Sequence, residues 1–361
     1  MADQELRSLI REQGPLTFAS FMELVLYHPE YGYYNSEKTI LGKEGDFYTS
    51  PHVSSLFGEM ITVQLAEMAS LVEGPVFSVV EYGAGRGLLA YDILKTLEAK
   101  YPEVFERTIY YIIEAGTGLK REQKRLLGEF AAQVRWVDKL EQVGKPLRGC
   151  VLSNELVDAF PVHRIIKLED QIKEIYVKDE EGLLKEVTDL PSTPLLEAYF
   201  DDLKITLAEG QQGEVNLAAY DWLDTIGQNL DQGFVLTIDY GYESSLLYHE
   251  SRRDGTLMCY YQHRMEENPY LRLGEQDITA HVNFSALKYW GQKIGLLTTG
   301  FTNQMHFLFN LGLAEVLARD TQKALAAQQL VNPEGMGGIF KVLIQHKNIA
   351  HPQLRGFKEI C

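Results

Sequence analysis

Glu81-Tyr82-Gly83-Ala84-Gly85-Arg86-Gly87 separates a predicted strand from a predicted helix in this 361-residue chain. The preceding segment, VFSVVEYG (76–83), has the continuous apolar character of a buried strand, and residues 88–100 have helical periodicity. Glycines at such a bend let the backbone approach a ligand closely and turn sharply into the helix. The first N–H groups of the helix have no intrahelical partner, so they can bind a carboxylate or a phosphate. This segment therefore predicts a ligand-binding strand–loop–helix unit.

The spacing of these glycines discriminates between cofactors. A dinucleotide fingerprint is G-x-G-x-x-G, which, counted from Gly83, requires a glycine where this chain has Leu88. An NAD-dependent dehydrogenase is therefore disfavoured. The chain instead has G-x-G-x-G after an acid, Glu81, and so resembles the first motif of class I methyltransferases. That resemblance implies S-adenosyl-L-methionine as cofactor, with Glu81 orienting its methionine end and Gly83, Gly85 and Gly87 leaving room for its amino acid and ribose.

Strands and helices alternate on both sides of this unit. Four further buried-type strands are predicted at 108–115, 134–137, 149–155 and 233–241, with helices at 88–100 and 117–131. Such alternation predicts a doubly wound, mostly parallel α/β sheet with helices on both faces. Segments 296–302 and 340–346 suit late, antiparallel members of a seven-stranded sheet, and 304–329 is predicted to be helical.

The remaining segments lie outside this alternation. Residues 16–28 have helical periodicity with Thr17 as cap, and Ser50-Pro51 is typical of the start of a helix that continues to about residue 70. Residues 161–190 alternate apolar and polar, as antiparallel strands do. Helices are predicted near 193–203, 214–230 and 281–295, and a long loop, usually a functional feature, at 242–280.

Strand ends supply further candidates for the cofactor site. Glu114 follows the second strand, where a carboxylate can accept hydrogen bonds from both ribose hydroxyls. Trp136 and Asp138 lie at the end of the third strand, where an adenine would lie, and Asp138 can accept from its amino group. Taken singly, a glycine turn, a strand-end glutamate or a core tryptophan is commonplace. Their conjunction with the strand order favours a cofactor site.

Six segments resemble the MidA-like family of class I S-adenosylmethionine-dependent methyltransferases, which includes a mitochondrial complex I assembly-factor arginine methyltransferase. They are HPEYGYY (28–34), GDFYTSP (45–51), EYGAGRG (81–87), NELVDAFPVH (154–163), DYG (239–241) and DITAHVNF (277–284). They occur in the family's order across most of the chain. The second and fourth segments are far more specific than the glycine loop.

The resemblance implies a Rossmann-like class I methyltransferase core with an N-terminal helical cap and an α+β insertion. It also implies that the loop at 45–51 folds over the cofactor, which makes Thr49 and Ser50 binding candidates. The predicted boundaries are 1–75 for the cap and covering loop, 76–160 and 231–347 for the core, 161–230 for the insertion and 348–361 for a C-terminal tail.

The family resemblance further implies methylation of a protein arginine, by symmetric ω-N dimethylation. A guanidinium has a pKa above about 12, so carboxylates can hold it bidentately and localise its positive charge away from the attacking nitrogen. Glu155 and Asp158 follow the fourth strand and share a face if the turn is helical, and Asn154 can bind the substrate or the cofactor's amino group. The ordinary alternative is that Asn154 and Asp158 cap a helix or satisfy loop backbone.

Two other functions stay open. Aromatic-rich loops at 31–48 and 259–270 can form the apolar pocket of a small-molecule O-methyltransferase on the same fold. A non-catalytic assembly factor would bind the cofactor or a partner without turnover, although Glu155, Asp158 and the whole glycine loop argue against it. The expected partner is a protein substrate, such as a respiratory-complex subunit, or a small-molecule acceptor. The sequence also leaves open whether the protein forms a homodimer.

Composition excludes several classes of partner. A net charge of −17 argues against binding to nucleic acid, and no apolar run of about 18 residues predicts a membrane span. The three cysteines form no C-x-x-C pair and the nine histidines are scattered, so no metal site is expected. The N-terminal residues have neither the apolar core of a secretory signal nor the bias of a transit peptide, so a cytoplasmic location is expected.

Overall fold

The computed structural model describes residues 2–35, 50–262, 264–320 and 323–358. Its helices are α1 (Ala2–Gln13), α2 (Phe18–Tyr27), α3 (Ser50–Val53), α4 (Ser55–Leu71), α5 (Leu88–Lys100), α6 (Pro102–Arg107), α7 (Thr117–Leu126), α8 (Leu195–Leu203), α9 (Ala218–Asn229), α10 (Ser244–Leu247), α11 (Phe284–Lys293), α12 (Gln304–Asn310), α13 (Leu313–Arg319), α14 (Ala324–Val331) and α15 (Met336–Ile339). Its strands are β1 (Leu16–Thr17), β2 (Phe77–Tyr82), β3 (Thr108–Ile113), β4 (Val134–Val137), β5 (Leu147–Asn154), β6 (His163–Leu168), β7 (Gln171–Glu180), β8 (Leu183–Asp189), β9 (Gln212–Val215), β10 (Leu230–Tyr242), β11 (Met258–Tyr261), β12 (Arg264–Glu266), β13 (Asp277–Thr279), β14 (Val282–Asn283), β15 (Leu297–Asn303) and β16 (Phe340–Lys347).

The large sheet has eight strands among the described residues: seven follow the order β15-β16-β10-β5-β2-β3-β4, and β14 pairs with β10. The strands from β10 to β4 are parallel, whereas β16 is antiparallel to both β10 and β15. The strand order reverses between β2 and β5, and ligands bind at such a point, outside the carboxyl ends of the strands. The predicted doubly wound, mostly parallel sheet is confirmed, with β14 as an eighth strand beside the seven predicted.

The described residues divide into two compact units. The first unit draws on the described residues within Met1–Phe47, Val157–Trp222 and Gly241–Tyr289, and the second on those within Tyr48–Leu156, Leu223–Tyr240 and Trp290–Cys361. The large sheet belongs to the second unit except for the last two residues of β10, which pair in parallel with β14. This grouping differs from the predicted boundaries, because α3 and α4 belong with the sheet and residues 241–289 belong with the N-terminal helices.

Helix α4 supplies much of the apolar face that the second unit buries. Leu65 and Met68 of α4 lie in one cluster with Leu89 and Ile93 of α5, and all four side chains are buried. The prediction of a single helix starting at Ser50 is wrong. A residue in extended conformation, Ser54, separates α3 from α4 and caps α4, because its hydroxyl accepts a hydrogen bond of 3.1 Å from the N–H of Leu56.

The first unit contains two antiparallel sheets. One has the order β1-β7-β6-β9 with β8 beside β7, and the other has the order β12-β11-β13. The helix predicted near 16–28 is confirmed as α2, with Thr17 accepting from the N–H of Ser20 at 3.1 Å. Helices α1 and α2 bury residues including Leu6, Phe18 and Phe21 in the core of this unit.

Two predictions for this unit are wrong. Residues 242–280 are not one long loop, because they contain α10, β11, β12 and β13. Strands of three or four residues are too short to show a period-2 pattern. The helix predicted from 214 begins at Ala218, because the preceding residues form β9, which pairs with β6.

Along the described ranges of the chain, no helix combines the length and apolar character that a membrane crossing requires.

Candidate cofactor and active site

The glycine loop turns from β2 into α5 through left-handed backbone. Gly83, Gly85 and Gly87 have φ of 64°, 51° and 83°, a backbone region that residues other than glycine rarely adopt. A Cβ atom on Gly83 would lie 2.9 Å from Cδ1 of Leu156. Gly87 caps α5 without a side-chain hydrogen bond, so the first N–H groups of the helix are not capped by a side chain. The loop can therefore admit a ligand close to its backbone.

Glu81 lies at the end of β2 with only 2 % of its surface exposed. The hydroxyl of Tyr110 donates a 2.8 Å hydrogen bond to its Oε2. Burial raises the pKa of Glu81 to about 7, and the charge of Glu114 adds to this rise, while the Tyr110 hydrogen bond opposes it. A cationic ligand group nearby would favour the ionised carboxylate. The amino group of a bound ligand would thus lower the pKa of Glu81 and keep its carboxylate ionised.

Glu114 follows β3 and is held by two N–H donors. Its Oε1 accepts from the N–H of Gly116 at 3.0 Å and its Oε2 from Nε2 of Gln123 at 3.2 Å. Burial raises its pKa, while these hydrogen bonds and the charge of Lys120 oppose the rise. Each carboxylate oxygen has more than one lone pair, so both can still accept from ribose hydroxyls.

The two residues predicted to lie near an adenine differ in environment. Trp136 is partly buried, and its Nε1 donates a 3.0 Å hydrogen bond to Oε1 of Gln123. Asp138 is exposed and pairs with Nζ of Lys120 at 2.9 Å, an interaction that lowers the pKa of Asp138. An adenine amino group would therefore share the Asp138 carboxylate with Lys120.

Asn154 and Glu155 lie at the carboxyl end of β5. Glu155 has a left-handed backbone with φ of 52°, and its Oε1 accepts from the N–H of Ser50 at 3.2 Å and from Nδ2 of Asn154 at 3.1 Å. Oδ1 of Asn154 is buried and has no hydrogen-bond partner among the described residues. An unsatisfied buried acceptor is costly, so this oxygen is suited to a donor on a ligand. Thr49 lies outside the described residues.

Three further residues are hydrogen-bonded to parts of the candidate site, and none was a candidate from sequence. Asp239, at the end of β10, accepts from the N–H of Leu156 at 3.2 Å. Gln304 is buried and accepts from the hydroxyl of Ser50 at 3.3 Å. Gln123 is buried between the glycine loop and Glu114. Asp239 had a signal in the family segment DYG, whereas the two glutamines had none.

Asp158 belongs to the first unit, in a 3₁₀ turn over Val157–Ala159. It is buried, and its carbonyl oxygen accepts from the N–H of Ala280 at 2.9 Å. The hydroxyl of Tyr34 donates to Oδ1 of Asp277 at 2.8 Å. Burial raises the pKa of Tyr34, and the charges of Asp277 and Asp158 add to this rise. The condition under which Glu155 and Asp158 would share a face, a helical turn, is not met, because Glu155 is left-handed and the 3₁₀ turn starts only at Val157.

The described residues contain no group of three or more histidine, cysteine, aspartate or glutamate side chains that could hold a metal ion. The residues of the second unit do fit S-adenosyl-L-methionine. Three glycines open the loop, Glu114 offers acceptors to a ribose, and Asn154 presents an unsatisfied oxygen. The sheet order and these residues together define a class I S-adenosyl-L-methionine-dependent methyltransferase.

Comparison with known proteins gives the family. Residues 60–302 match a family model described as "Putative S-adenosyl-L-methionine-dependent methyltransferase", and the chain belongs to this family. A solved structure of a Burkholderia thailandensis protein bound to S-adenosyl-homocysteine is 32% identical, covers 99% of this chain and 95% of its own, and superposes with a TM-score of 0.89. These matches confirm the predicted MidA-like resemblance, the enzyme class and the cofactor.

Curated relatives cover nearly the same span. The protein arginine methyltransferase NDUFAF7 of Mus musculus is 28% identical, and its Drosophila melanogaster homolog is 27% identical; each alignment covers 94% of this chain and 83% of the relative. Both relatives are named mitochondrial. The predicted cytoplasmic location is therefore wrong. It depended only on features that the N-terminal residues lack, and such an absence does not identify a compartment.

Proposed function

We propose that this methyltransferase transfers the methyl group of S-adenosyl-L-methionine to a guanidinium nitrogen of an arginine in a protein substrate. The main support is the Glu155 carboxylate, which the Ser50 N–H and the Asn154 amide hold at the carboxyl end of β5. The names of the curated relatives support the same acceptor. More specifically, the proposed product is symmetric ω-N-dimethylarginine, and the proposed substrate is a subunit of a respiratory complex.

The cofactor would be held by residues at the carboxyl ends of β2, β3, β4 and β5 or just after them, and by the start of α3. They are Ser50, Glu81, Gly83, Gly85, Gly87, Glu114, Trp136, Asp138 and Asn154, together with Thr49 outside the described residues. When bound, the cofactor supplies an activated methyl group on a sulfonium, which is already a good leaving group. The protein then has to align the acceptor nitrogen about 3–3.5 Å from the methyl carbon and exclude water.

Glu155 is the carboxylate that we assign to the acceptor. A guanidinium keeps its charge at neutral pH, so a base is less useful than an anion that orients it through two N–H donors. The left-handed backbone of Glu155 is a strained conformation that the hydrogen bond from its N–H to the carbonyl of Ile238, at 2.9 Å, helps to hold. Asn154 would orient an N–H of the substrate or of the cofactor, and a role for Asp158, which belongs to the first unit, stays a prediction from sequence.

A transfer assay separates the cofactor from the acceptor. Incubation with methyl-labelled S-adenosyl-L-methionine and arginine-containing proteins should place label in methylarginine, as mass spectrometry detects. We expect Glu155→Gln to lower kcat by about 100-fold or more while the Kd for S-adenosylhomocysteine changes little. Glu129→Gln, at an exposed position, is the matched control.

Label found only in a small metabolite would reject the arginine acceptor and leave the methyltransferase class intact. Normal transfer by Glu155→Gln would reject the role of that carboxylate. Sedimentation analysis of the same protein tests whether it forms a homodimer.

A further inference from the structure

Gln123 of α7 joins three parts of the candidate cofactor site. Its side chain is 0 % exposed. Its Nε2 donates to the carbonyl of Gly85 at 2.7 Å and to Oε2 of Glu114 at 3.2 Å, and its Oε1 accepts from Nε1 of Trp136 at 3.0 Å. One buried amide therefore contacts the glycine loop, the end of β3 and the end of β4.

The chemistry of a primary amide suits this position. A glutamine side chain has two N–H donors and one carbonyl acceptor, and here both N–H groups and the oxygen have partners. A carboxylate could not donate to Gly85, and an apolar side chain would leave the Trp136 N–H and the Gly85 carbonyl unsatisfied. The Gln123 Cγ also lies only 3.2 Å from where a Cβ of Gly87 would be, so it packs directly against the loop.

We propose that Gln123 is a positioning residue for S-adenosyl-L-methionine, whose amide aligns the Glu114 carboxylate, the glycine loop and the Trp136 indole for the ribose and adenine. It would act through these residues and need not touch the cofactor. This inference rests on the cofactor site proposed above, but not on the identity of the methyl acceptor.

The charge of Glu114 should report this role. The Gln123 hydrogen bond opposes the rise that burial causes in the pKa of Glu114. The backbone N–H groups of Gly116 and Ala115 and the charge of Lys120 also favour ionisation of this carboxyl, whereas the charge of Glu81 opposes it. Lys120 is itself paired with Asp138. Loss of the amide donor should raise the pKa of Glu114 further, so that ribose binding weakens as the pH falls.

Calorimetric titration of S-adenosylhomocysteine into full-length variants tests the proposal. Gln123→Met keeps the length of the side chain and its helix propensity but removes every hydrogen bond. We expect the Kd to rise by about tenfold at neutral pH and by more towards pH 6. Arg121→Met, on an exposed position of the same helix, should bind as the wild type does.

A second variant has the opposite pH dependence. Gln123→Glu keeps the acceptor for Trp136 but sets two carboxylates side by side. Their repulsion should weaken cofactor binding at high pH, and protonation of one of them should restore part of the affinity as the pH falls. Trp136 fluorescence, corrected with Trp136→Phe, should change in Gln123→Met and remain unchanged in Arg121→Met.

The outcomes separate this inference from the proposed site. If the wild type gives no heat with S-adenosylhomocysteine, the cofactor site fails and Gln123 is not the cause. If the wild type binds and both folded Gln123 variants bind equally well across the pH range, the positioning role is overturned. A loss of thermal stability with a pH-independent loss of affinity would also overturn it, because that pattern indicates a structural role alone. Should Gln123→Met fail to fold, Gln123→Glu decides the question by its pH trend.

Discussion

Glu81 is a buried carboxyl whose ionisation should make the stability of the ligand-free protein depend on pH. Its pKa is about 7 in the folded protein against 4.5 for an unperturbed glutamate. The folded state therefore binds more protons than the unfolded state between these values, and stability decreases as the pH rises through that window. Ionisation of Glu81 above this range costs about 3 kcal/mol at most.

Glu81→Gln should remove this pH dependence. We expect the fall in the free energy of unfolding between about pH 5 and about pH 8 to be smaller by about 2 kcal/mol in the variant. Denaturant titrations of the ligand-free proteins at the two pH values measure it, with Glu129→Gln as an exposed control. Equal pH slopes for wild type and Glu81→Gln would contradict the assignment.

Gly83 is a loop position where an added side chain would meet both a left-handed backbone and a close neighbour. Gly83→Ala combines φ of 64° with a Cβ 2.9 Å from Leu156, so we expect a loss of about 1–2 kcal/mol in stability. The shifted loop should also weaken S-adenosylhomocysteine binding by about tenfold or more. Thermal unfolding and calorimetry measure the two effects.

Gly118→Ala is the matched control for this change. Gly118 lies in α7 with nothing within 4 Å of an added Cβ, so alanine there should leave binding unchanged and raise stability by up to about 1 kcal/mol. If both alanine variants bind equally well, the glycine loop is not the cofactor loop.

Single residues were predictable from sequence where a motif fixed their backbone or their strand end. The left-handed backbone of the loop glycines and the strand-end positions of Glu114 and Asn154 followed in this way, while their contacts with a cofactor stay predictions. Gln123 could not be found, because its role depends on a helix packing across two loops and a lone glutamine in a charged helix carries no signal. The pairing of Asp138 with Lys120 was hidden for the same reason, since folding brings the two residues together.

At the level of elements, the start of α4 depends on one hydroxyl. Ser54→Ala should lower the free energy of unfolding by about 1 kcal/mol, because the N–H of Leu56 loses its partner. Ser54→Asn retains an acceptor and should stay within a few tenths of a kcal/mol of the wild type. Chemical denaturation of both variants measures this; equal stability of the two would show that Ser54 is not the cap.

The elements that sequence predicted well are those with a strong period or a strong cap. The parallel strands β2, β3 and β4 are mostly apolar runs, and their predicted ranges lie within two residues of those observed. The short strands β11, β12 and β13 have too few residues for a periodic signal and are stabilised by pairing with one another. Pairing between distant segments is a tertiary property, which a local pattern does not contain.

At the scale of the whole molecule, the least predictable feature was that segments of the two units alternate along the sequence. Sequence analysis assigns continuous stretches to domains, but each unit here is assembled from three separate segments of the chain. The chain passes from the second unit to the first just after Leu156, within the segment that carries both Glu155 and Asp158. A short motif therefore contributes to two cores, and local spacing alone could not show this.

The net charge of −17 gives a prediction for the whole molecule that rests on the proposed protein substrate. A strongly acidic protein attracts a basic peptide over long distances, and salt screens this attraction as the Debye length falls from about 10 Å at 0.1 M to about 3 Å at 1 M. The KM for a lysine-rich peptide with one target arginine should rise several-fold over this range. A peptide with neutral residues around the arginine is the control, and its KM should change little, as should the Kd for S-adenosylhomocysteine. If both peptides respond equally to salt, the charge of the protein has no part in substrate capture.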